Sequence, residues 1–311
     1  MIIDNNFHLT NKFFSQRNAM KSRILTFVML ACISLLAPML LSSCAQTSIT
    51  SDKIGVAVSI LPLVEFAESI GGDKVTVNVM VPPGASPHTY EPKPSQMTAL
   101  ANARLYVKVG SGIEFEISYM DKLASINKAM LVVDSSKGID LMKSDDPDEP
   151  GMDPHIWTSP KNAVVMVKNI CDGLGQIDSA NKAYYKANRD AYIKKLTELD
   201  ESIIKGLDSV KNRSFIIYHP AFGYFARDYN LTQIGIEQEG KEPTAAYVTH
   251  VTKEAKEKSC TVIFVSPQFS QKSAEVIAHE INGAVIPLDT LAKEYITNME
   301  AIKDAMIKAM K

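Results

Sequence analysis

Three of the six histidines in this 311-residue chain lie in short turns that combine proline with aromatic residues. His88 lies in "SPHTYEP", His155 in "DPHIW" and His219 in "YHPAFGYF". Proline fixes its own φ and restricts the residue before it, so a side chain in such a turn loses little freedom when it binds a ligand. Imidazole is a common ligand of divalent transition metals, and the three turns therefore suggest metal binding.

These histidines, together with Asp289, fall at the ends of predicted strands or helices. His88 follows the predicted strand "KVTVNVMV", and His219 directly follows "RSFIIY". Asp289 ends "AVIPLD", and His155 precedes a predicted helix. Ligands bind open α/β sheets at the carboxyl ends of the strands, so we expect the four side chains to meet across a cleft. Three imidazoles and one carboxylate form a closed ligand set for a borderline cation and disfavour calcium and magnesium, which prefer oxygen shells.

A loop histidine can also be a solvated or hydrogen-bonded side chain with no ligand role, and the sequence pattern alone leaves that alternative open. The alternative is favoured for His250 and His279, which lie within helical patterns next to charged residues. His8 belongs to the N-terminal leader.

Strands and helices alternate along most of the chain. β-branched runs such as "KIGVAVSI" and "TVIFVS" are separated by amphipathic segments, which predicts mostly parallel sheets with helices on both faces. The longest helical pattern covers 179–211 and is interrupted only by Gly206. We therefore predict an α/β fold of two halves, 44–178 and 212–311, joined by one long helix.

The composition narrows the class of protein. Hydrophobic residues make up 46% of the chain and charged residues 22%, which is typical of a soluble globular protein. The net charge is -2 and there is no basic run, so no nucleic-acid partner is indicated. Cys171 and Cys260 could pair in an oxidising compartment, but two separate buried thiols are favoured.

Residues 1–43 have the features of an export leader. Lys21 and Arg23 precede the apolar run "ILTFVMLACISLLAPMLL", which small residues follow. The tetrapeptide "LSSC" resembles the lipobox of bacterial lipoproteins, which implies that Cys44 becomes the lipidated first residue of an exported protein. An uncleaved membrane anchor is the alternative, since the run approaches spanning length. Translation that begins at Met20 is also left open.

Six stretches resemble the metal-binding lipoproteins of ABC importers, the zinc- and manganese-uptake family of substrate-binding proteins. They are "VPPGASPHTYEPKPSQ", "DPHIWTSPKNA", "YHPAFGYFARDYNL", "GKEPTAA", "VIFVSPQFSQKSAEVIA" and "PLDTLAKEYITNM". They occur in the family's order, and the resemblance extends along most of the chain from Lys53 onwards. The resemblance implies two Rossmann-like lobes joined by a rigid long helix, with a metal site in the cleft between the lobes.

The resemblance places the family's four metal ligands on His88, His155, His219 and Asp289. Manganese-type members usually carry glutamate at the position of His219, so histidine there favours zinc, in agreement with the preference of zinc for imidazole nitrogen. Some zinc-uptake relatives have a histidine-rich loop before the second ligand, whereas "KSDDPDEPGMD" lacks histidine, so we expect no scavenging by this loop. Pro87 stands where some relatives have glutamate, which strengthens Asp289 as the fourth ligand.

The resemblance thus implies an extracytoplasmic lipoprotein that captures a divalent transition metal, most simply Zn²⁺, and delivers it to an ABC permease of the cytoplasmic membrane. We expect no enzymatic activity, and a monomer held at the periplasmic side of the envelope by a lipid on Cys44. A manganese or iron importer of the same family is the main alternative. A zinc hydrolase is disfavoured because four protein ligands leave no open position and the H-E-x-x-H motif is absent. A surface adhesin is a further alternative.

The Cys44→Ala variant tests the export prediction. If Cys44 is the lipid site, the variant should accumulate in a soluble or unprocessed form and incorporate no labelled palmitate, because the thiol that carries the lipid is missing. Fractionation of cells that express the variant or the unchanged chain measures this. Equal membrane retention of the two proteins would contradict the lipoprotein prediction.

Overall fold

The computed structural model describes residues 53–144, 151–237 and 242–310. The predicted leader 1–43, the predicted lipid site Cys44 and the acidic stretch 145–150 lie outside the described residues. Within the described part, two four-stranded parallel sheets and their flanking helices form the frame of the molecule.

The first sheet has the strand order β2-β1-β3-β4, and every neighbouring pair is parallel. Its elements are, in chain order, β1 (Ile54–Val58), α1 (Pro62–Gly71), β2 (Val75–Val79), α2 (Pro94–Leu100), β3 (Leu105–Lys108), α3 (Glu114–Ile126) and β4 (Leu131–Asp134). The two central strands, β1 and β3, are almost entirely buried, as expected for parallel strands that are covered on both faces.

Two consecutive helices follow this sheet, α4 (Pro160–Ile177) and α5 (Lys182–Leu207). α4 begins with Pro160 at its first position, and the Ser159 hydroxyl accepts a hydrogen bond from the Asn162 amide, so both start signals of the sequence are used. α5 has 26 residues and is therefore about 39 Å long. Its buried stripe consists of Tyr185, Tyr192, Leu196, Leu199, Ile203 and Leu207.

The second sheet repeats the arrangement of the first, with the strand order β6-β5-β7-β8 and only parallel pairs. Its elements are β5 (Ser214–Ile217), α6 (Gly223–Tyr229), β6 (Thr232–Gly235), α7 (Ala245–Glu257), β7 (Val262–Val265), α8 (Lys272–Glu280), β8 (Ala284–Pro287) and α9 (Tyr295–Ala309). The predicted architecture of two α/β lobes joined by a long helix is confirmed. The predicted lobe boundaries at 178 and 211 stay predictions.

The long helix α5 contacts elements of both lobes. The Tyr192 hydroxyl donates to Glu65 on α1 at 2.6 Å, and Asp200 on α5 accepts from the Tyr229 hydroxyl of α6 at 2.7 Å. Gly206 interrupts the sequence pattern but lies within the helix. A Cβ there would come within 2.6 Å of the Ile307 side chain of α9, so glycine leaves room for the contact between the two helices. These contacts make α5 a common support for the two sheets.

Two further expectations concern the cysteines and the membrane. Cys171 and Cys260 are both buried and unpaired, which confirms the interpretation as separate thiols. Among the described residues, no helix has both the length and the apolar character needed to cross a membrane.

Candidate metal centre

His88 lies in the loop between β2 and α2. The loop closes on itself through the Tyr90 amide, which donates to the Ser86 carbonyl at 3.0 Å. It is also tied to the first turn of α3, since the Phe115 amide donates to the Pro87 carbonyl at 3.1 Å. The proline-rich turn is therefore held from both sides, and the imidazole is mostly shielded from solvent, with 11% of the side chain exposed.

His155 lies just before α4 in a turn that its own neighbours fix. The carboxylate of Asp153 accepts from the His155 amide at 2.9 Å, and the His155 carbonyl accepts from the Thr158 hydroxyl at 2.9 Å. The Ser111 hydroxyl donates to the Pro154 carbonyl at 2.5 Å from the loop that follows β3. The ring of Trp157 packs edge-on against the imidazole, with 5.3 Å between centroids. The only tryptophan of the chain is thus part of the wall around this histidine.

His219 comes two residues after β5, at the carboxyl end of a central strand of the second sheet. The Ala221 amide donates to the His219 carbonyl at 2.8 Å, which closes the turn. The ring of Phe269 stacks on the imidazole with 4.7 Å between centroids and 22° between the planes. His219 is 8% exposed, so the imidazole is almost fully shielded from solvent.

The structure brings the three histidines together. Nε2 of His219 lies 3.0 Å from Nε2 of His88 and 3.0 Å from Nε2 of His155. The ligand atoms of the three residues all lie within 4.8 Å of one another. At Zn–N distances of about 2.0–2.1 Å, two nitrogens on one tetrahedral zinc are about 3.3 Å apart. The histidine cluster therefore has the dimensions of one face of a zinc site.

Each imidazole has a carboxylate next to its other nitrogen, and for His155 and His219 the contact is a hydrogen bond. Nδ1 of His88 lies 2.7 Å from Glu114. Nδ1 of His155 lies 2.8 Å from Asp153, and Nδ1 of His219 lies 2.8 Å from Glu237. These three acids were not identified as site residues from the sequence.

The carboxylates decide which nitrogen of each ring can bind a cation. A carboxylate accepts hydrogen bonds, so it fixes the proton of the neutral ring on Nδ1 and leaves the lone pair on Nε2. All three Nε2 lone pairs then point into the same small space, which is favourable around a cation. Burial lowers the pKa of His219 well below its ordinary range, and the imidazoles of His155 and His88 lower it further, so the metal-free ring is neutral at neutral pH.

Two of the three acids could have been anticipated from the sequence. Asp153 is part of the same "DPHIW" turn as its histidine. Glu237 follows β6, which pairs with β5, so Glu237 and His219 lie at the same edge of the second sheet. Glu114 lies 26 residues after His88 and begins α3, and no local pattern connects the two.

Hydrogen bonds across the cleft hold the two lobes together around the histidine cluster. The Trp157 indole donates to the Thr290 carbonyl at 2.8 Å, and the Tyr224 hydroxyl donates to the Asp153 carbonyl at 2.9 Å. A Cβ on Gly223 would lie 2.2 Å from the Asp153 carboxylate, so glycine is required where α6 approaches the His155 turn. The first lobe provides His88 and His155, and the second lobe provides His219.

The fourth predicted ligand, Asp289, lies near the histidine cluster but is not part of it. Its Oδ1 accepts from the Leu291 amide at 2.9 Å and from the Gln268 side chain at 3.0 Å. Gln268, Thr290 and Leu291 line the same cavity as the three imidazoles. Asp289 is thus positioned beside the site, and its role as a ligand stays a prediction.

The two histidines that were assigned to helix surfaces are not part of the histidine cluster. His250 on α7 and His279 on α8 are both exposed. The nearest charged partner of His250 is Glu254 at 3.9 Å, one turn along the same helix. These two residues serve as matched controls for the histidines of the cleft.

Comparison with known proteins identifies similar chains over nearly the whole described length. The family described as the periplasmic component A of the zinc-uptake complex matches residues 56–309. The high-affinity zinc uptake system protein ZnuA of Bacillus subtilis is 32% identical over 309 residues, which cover 90% of this chain and 97% of that protein.

A second relative and a solved structure agree with this match. The zinc-binding lipoprotein AdcA of Streptococcus pneumoniae is 27% identical over 296 residues, and the chain spans only 59% of its length. A crystal structure of ZnuA superposes with a TM-score of 0.80 and 40% identity, over 84% of this chain and 100% of that one.

The lowered pKa of His219 predicts how the metal-free protein responds to acid. The unfolded chain takes up a proton at this histidine near pH 6.5, whereas the folded chain resists it, so the stabilisation is complete above about pH 6.5 and is lost as the pH falls below it. The melting temperature of the metal-free protein should therefore drop between pH 7.5 and pH 5. His219→Asn, which keeps a donor for Glu237, should flatten this dependence, and His279→Asn should not. Equal pH profiles for both variants would contradict the assignment.

Proposed function

The chain belongs to the family of periplasmic zinc-uptake components, and from that premise we propose that it captures Zn²⁺ outside the cytoplasm and delivers it to an ABC permease. The zinc ion is the cargo of the protein, held between the two lobes and given up at the membrane. The family is a transport family, so the proposal is capture and release of the ion rather than catalysis.

The convergence of three Nε2 atoms in a buried cleft is the single observation that carries this proposal. Two of the separations between these atoms are 3.0 Å and all lie within 4.8 Å, which suits one small cation, and the three Nδ1 contacts keep the lone pairs available. Carboxylates behind metal-bound imidazoles orient the rings and raise their basicity, and their loss commonly weakens metal binding about 10–100-fold. The six residues together form a prepared site for a cation.

Zinc is favoured over manganese because the proposed ligands are nitrogen-rich. Imidazole suits zinc, whereas manganese prefers carboxylate, carbonyl and water oxygens. A zinc ion on His88, His155 and His219 needs one more ligand to complete a tetrahedron. We propose Asp289 for that position, which requires its carboxylate to exchange the hydrogen bond from Gln268 for the metal. A manganese or iron ion remains the alternative cargo within the same family.

The site of action that we propose is the outer side of the cytoplasmic membrane. The relative AdcA is a zinc-binding lipoprotein, and Cys44 stands at the lipobox-like sequence of this chain. We therefore propose that acyl chains on Cys44 tether a monomer near its permease.

Zinc should stabilise the folded protein through the three histidines. A ligand that binds only the native state raises the free energy of unfolding by about 2.7 kcal/mol when it is present at 100 times its Kd. The melting temperature should therefore rise with zinc at pH 7.5 and much less at pH 5, where protons compete for the imidazoles. Differential scanning calorimetry with and without zinc measures the rise.

Single alanine variants assign that rise to residues. It should shrink in each of His88→Ala, His155→Ala and His219→Ala, because each lacks one nitrogen ligand. The exposed controls His250→Ala and His279→Ala should keep it. A normal response from the three cleft variants, or a loss in the two controls, would refute the histidine site.

Asp289→Asn tests the fourth ligand separately. The variant keeps the size of the side chain and can still accept from the Leu291 amide, but it lacks the charged oxygen that a metal prefers. Zinc affinity should fall by more than about tenfold, since even the partners behind metal ligands are commonly worth that much. Asp304→Asn, which removes a carboxylate that is 73% exposed on α9, is the control. If competition titration and the absorption spectrum of the Co²⁺-loaded protein are the same for both variants, Asp289 is not a ligand.

A further inference from the structure

The loop between β3 and α3, residues 109–113, and the start of α3 together contact the turns of two proposed metal ligands. Ser111 in this loop donates to the Pro154 carbonyl at 2.5 Å, directly before His155. The helix that follows the loop begins with Glu114, which holds Nδ1 of His88 at 2.7 Å. The position of this loop therefore affects both histidines of the first lobe.

A buried carboxylate holds this loop in place. Glu116, in the first turn of α3, is only 6% exposed. One of its oxygens accepts from the Val109 amide at 2.6 Å, and the other accepts from the Gly110 amide at 2.9 Å. The carboxylate thus closes a ring between the end of β3 and the start of α3, with Ser111 and Glu114 inside the ring.

Two hydroxyls connect the same carboxylate to the central strands of the first sheet. The Ser59 hydroxyl, at the end of β1, donates to Glu116 at 2.5 Å. The Tyr106 hydroxyl on β3 lies 3.0 Å from the Ser59 hydroxyl. Ser59 and Tyr106 are completely buried. Glu116 therefore anchors the loop to the buried core of the sheet and not to solvent-exposed groups.

We propose that Glu116 is a positioning residue of the metal site, which aligns His155 through the loop before α3 and His88 through the first turn of α3. The inference rests on the proposed function, because it concerns the geometry of the same zinc site. Glu116 does not touch the metal; it acts through Glu114 on His88 and through Ser111 on the His155 turn. His219, which the second lobe provides, is outside its reach.

The chemistry of Glu116 supports a positioning role over simple packing. Burial raises the pKa of its carboxyl, against the opposing effect of the Ser59 hydroxyl and the two loop amides, so this position is costly for an acid. An apolar side chain of similar size would avoid the burial of a charge but would leave the Val109 and Gly110 amides without their acceptor. What only a carboxylate offers here is two oxygens that accept from three donors at once, which fixes the loop in one conformation.

Glu116→Gln tests the proposal with little change in size. Either orientation of the new amide turns its NH₂ group toward a loop N–H, so one of the amides of Val109 and Gly110 loses its acceptor. Zinc Kd, measured by competition with a chelator on the purified metal-free protein, should rise about 10–100-fold, as for other groups behind metal ligands. The absorption spectrum of the Co²⁺-loaded variant should also shift, because two imidazoles change their orientation.

Tyr185→Phe is the matched control for a purely structural loss. It removes another buried hydroxyl contact, the 2.6 Å bond to Asp178, which lies beyond the far end of α4 from the His155 turn. α4 has 18 residues and separates the two places by about 27 Å. The control should lower the melting temperature but leave the zinc Kd and the cobalt spectrum unchanged.

A double-mutant cycle shows whether Glu116 acts through the loop. Ser111→Ala alone should weaken zinc binding, and its effect should be less than additive with that of Glu116→Gln, because the second change removes a contact that the first has already misplaced. Additive effects, or a Glu116→Gln protein that is less stable but has an unchanged zinc Kd and cobalt spectrum, would overturn the proposal.

Two further results are distinguishable from these. If Glu116→Gln does not fold, Ser111→Ala decides: an unchanged zinc Kd and cobalt spectrum in that variant would also overturn the proposal. If the unchanged protein itself does not bind zinc, the proposed function is wrong, and the positioning role falls with it.

Discussion

The close contact between each imidazole Nδ1 and a carboxylate determines what the cleft can bind. His88, His155 and His219 would be ordinary buried histidines if their protons were free to choose either nitrogen. Because a carboxylate lies within 2.8 Å of Nδ1 in each ring, the Nδ1 proton is favoured and the Nε2 lone pairs share one space, with Nε2 of His219 lying 3.0 Å from Nε2 of each of the other two rings. Such an arrangement is stable around a cation, and burial keeps the His219 ring neutral and ready to bind one.

The two sheets bring these side chains to one place. Parallel strands end at the same edge of a sheet, so β5 and β6 deliver His219 and its partner Glu237 together. In the first lobe the corresponding edge carries loops rather than direct strand ends, and those loops need additional fixation by prolines and by the buried carboxylate of Glu116. The long helix α5 contacts both lobes, so the two halves of the site keep a common reference.

The residues around the histidines differ in how directly they could act on a metal. Trp157 and Phe269 form apolar walls that strengthen electrostatic interactions in the cleft. Asp289 lies at the edge of the cavity with one oxygen held by Gln268 and Leu291, so its use as a ligand involves a rearrangement that the histidines do not need. The cleft thus combines three imidazole nitrogens that face one another with a nearby carboxylate that is hydrogen bonded elsewhere.

The sequence by itself determined the alternation of strands and helices, the long helix, and the three histidines in proline-aromatic turns, because each of these is written in local periodicity or in a short motif. It also separated His250 and His279 from the cleft, since both lie on exposed helical faces. Only the tertiary structure decided that Glu114 contacts His88, that Glu116 holds the loop between β3 and α3, and that Asp289 is hydrogen bonded to Gln268. Those contacts join residues from separate loops and helix starts, and their geometry depends on how the elements pack, which no local pattern encodes.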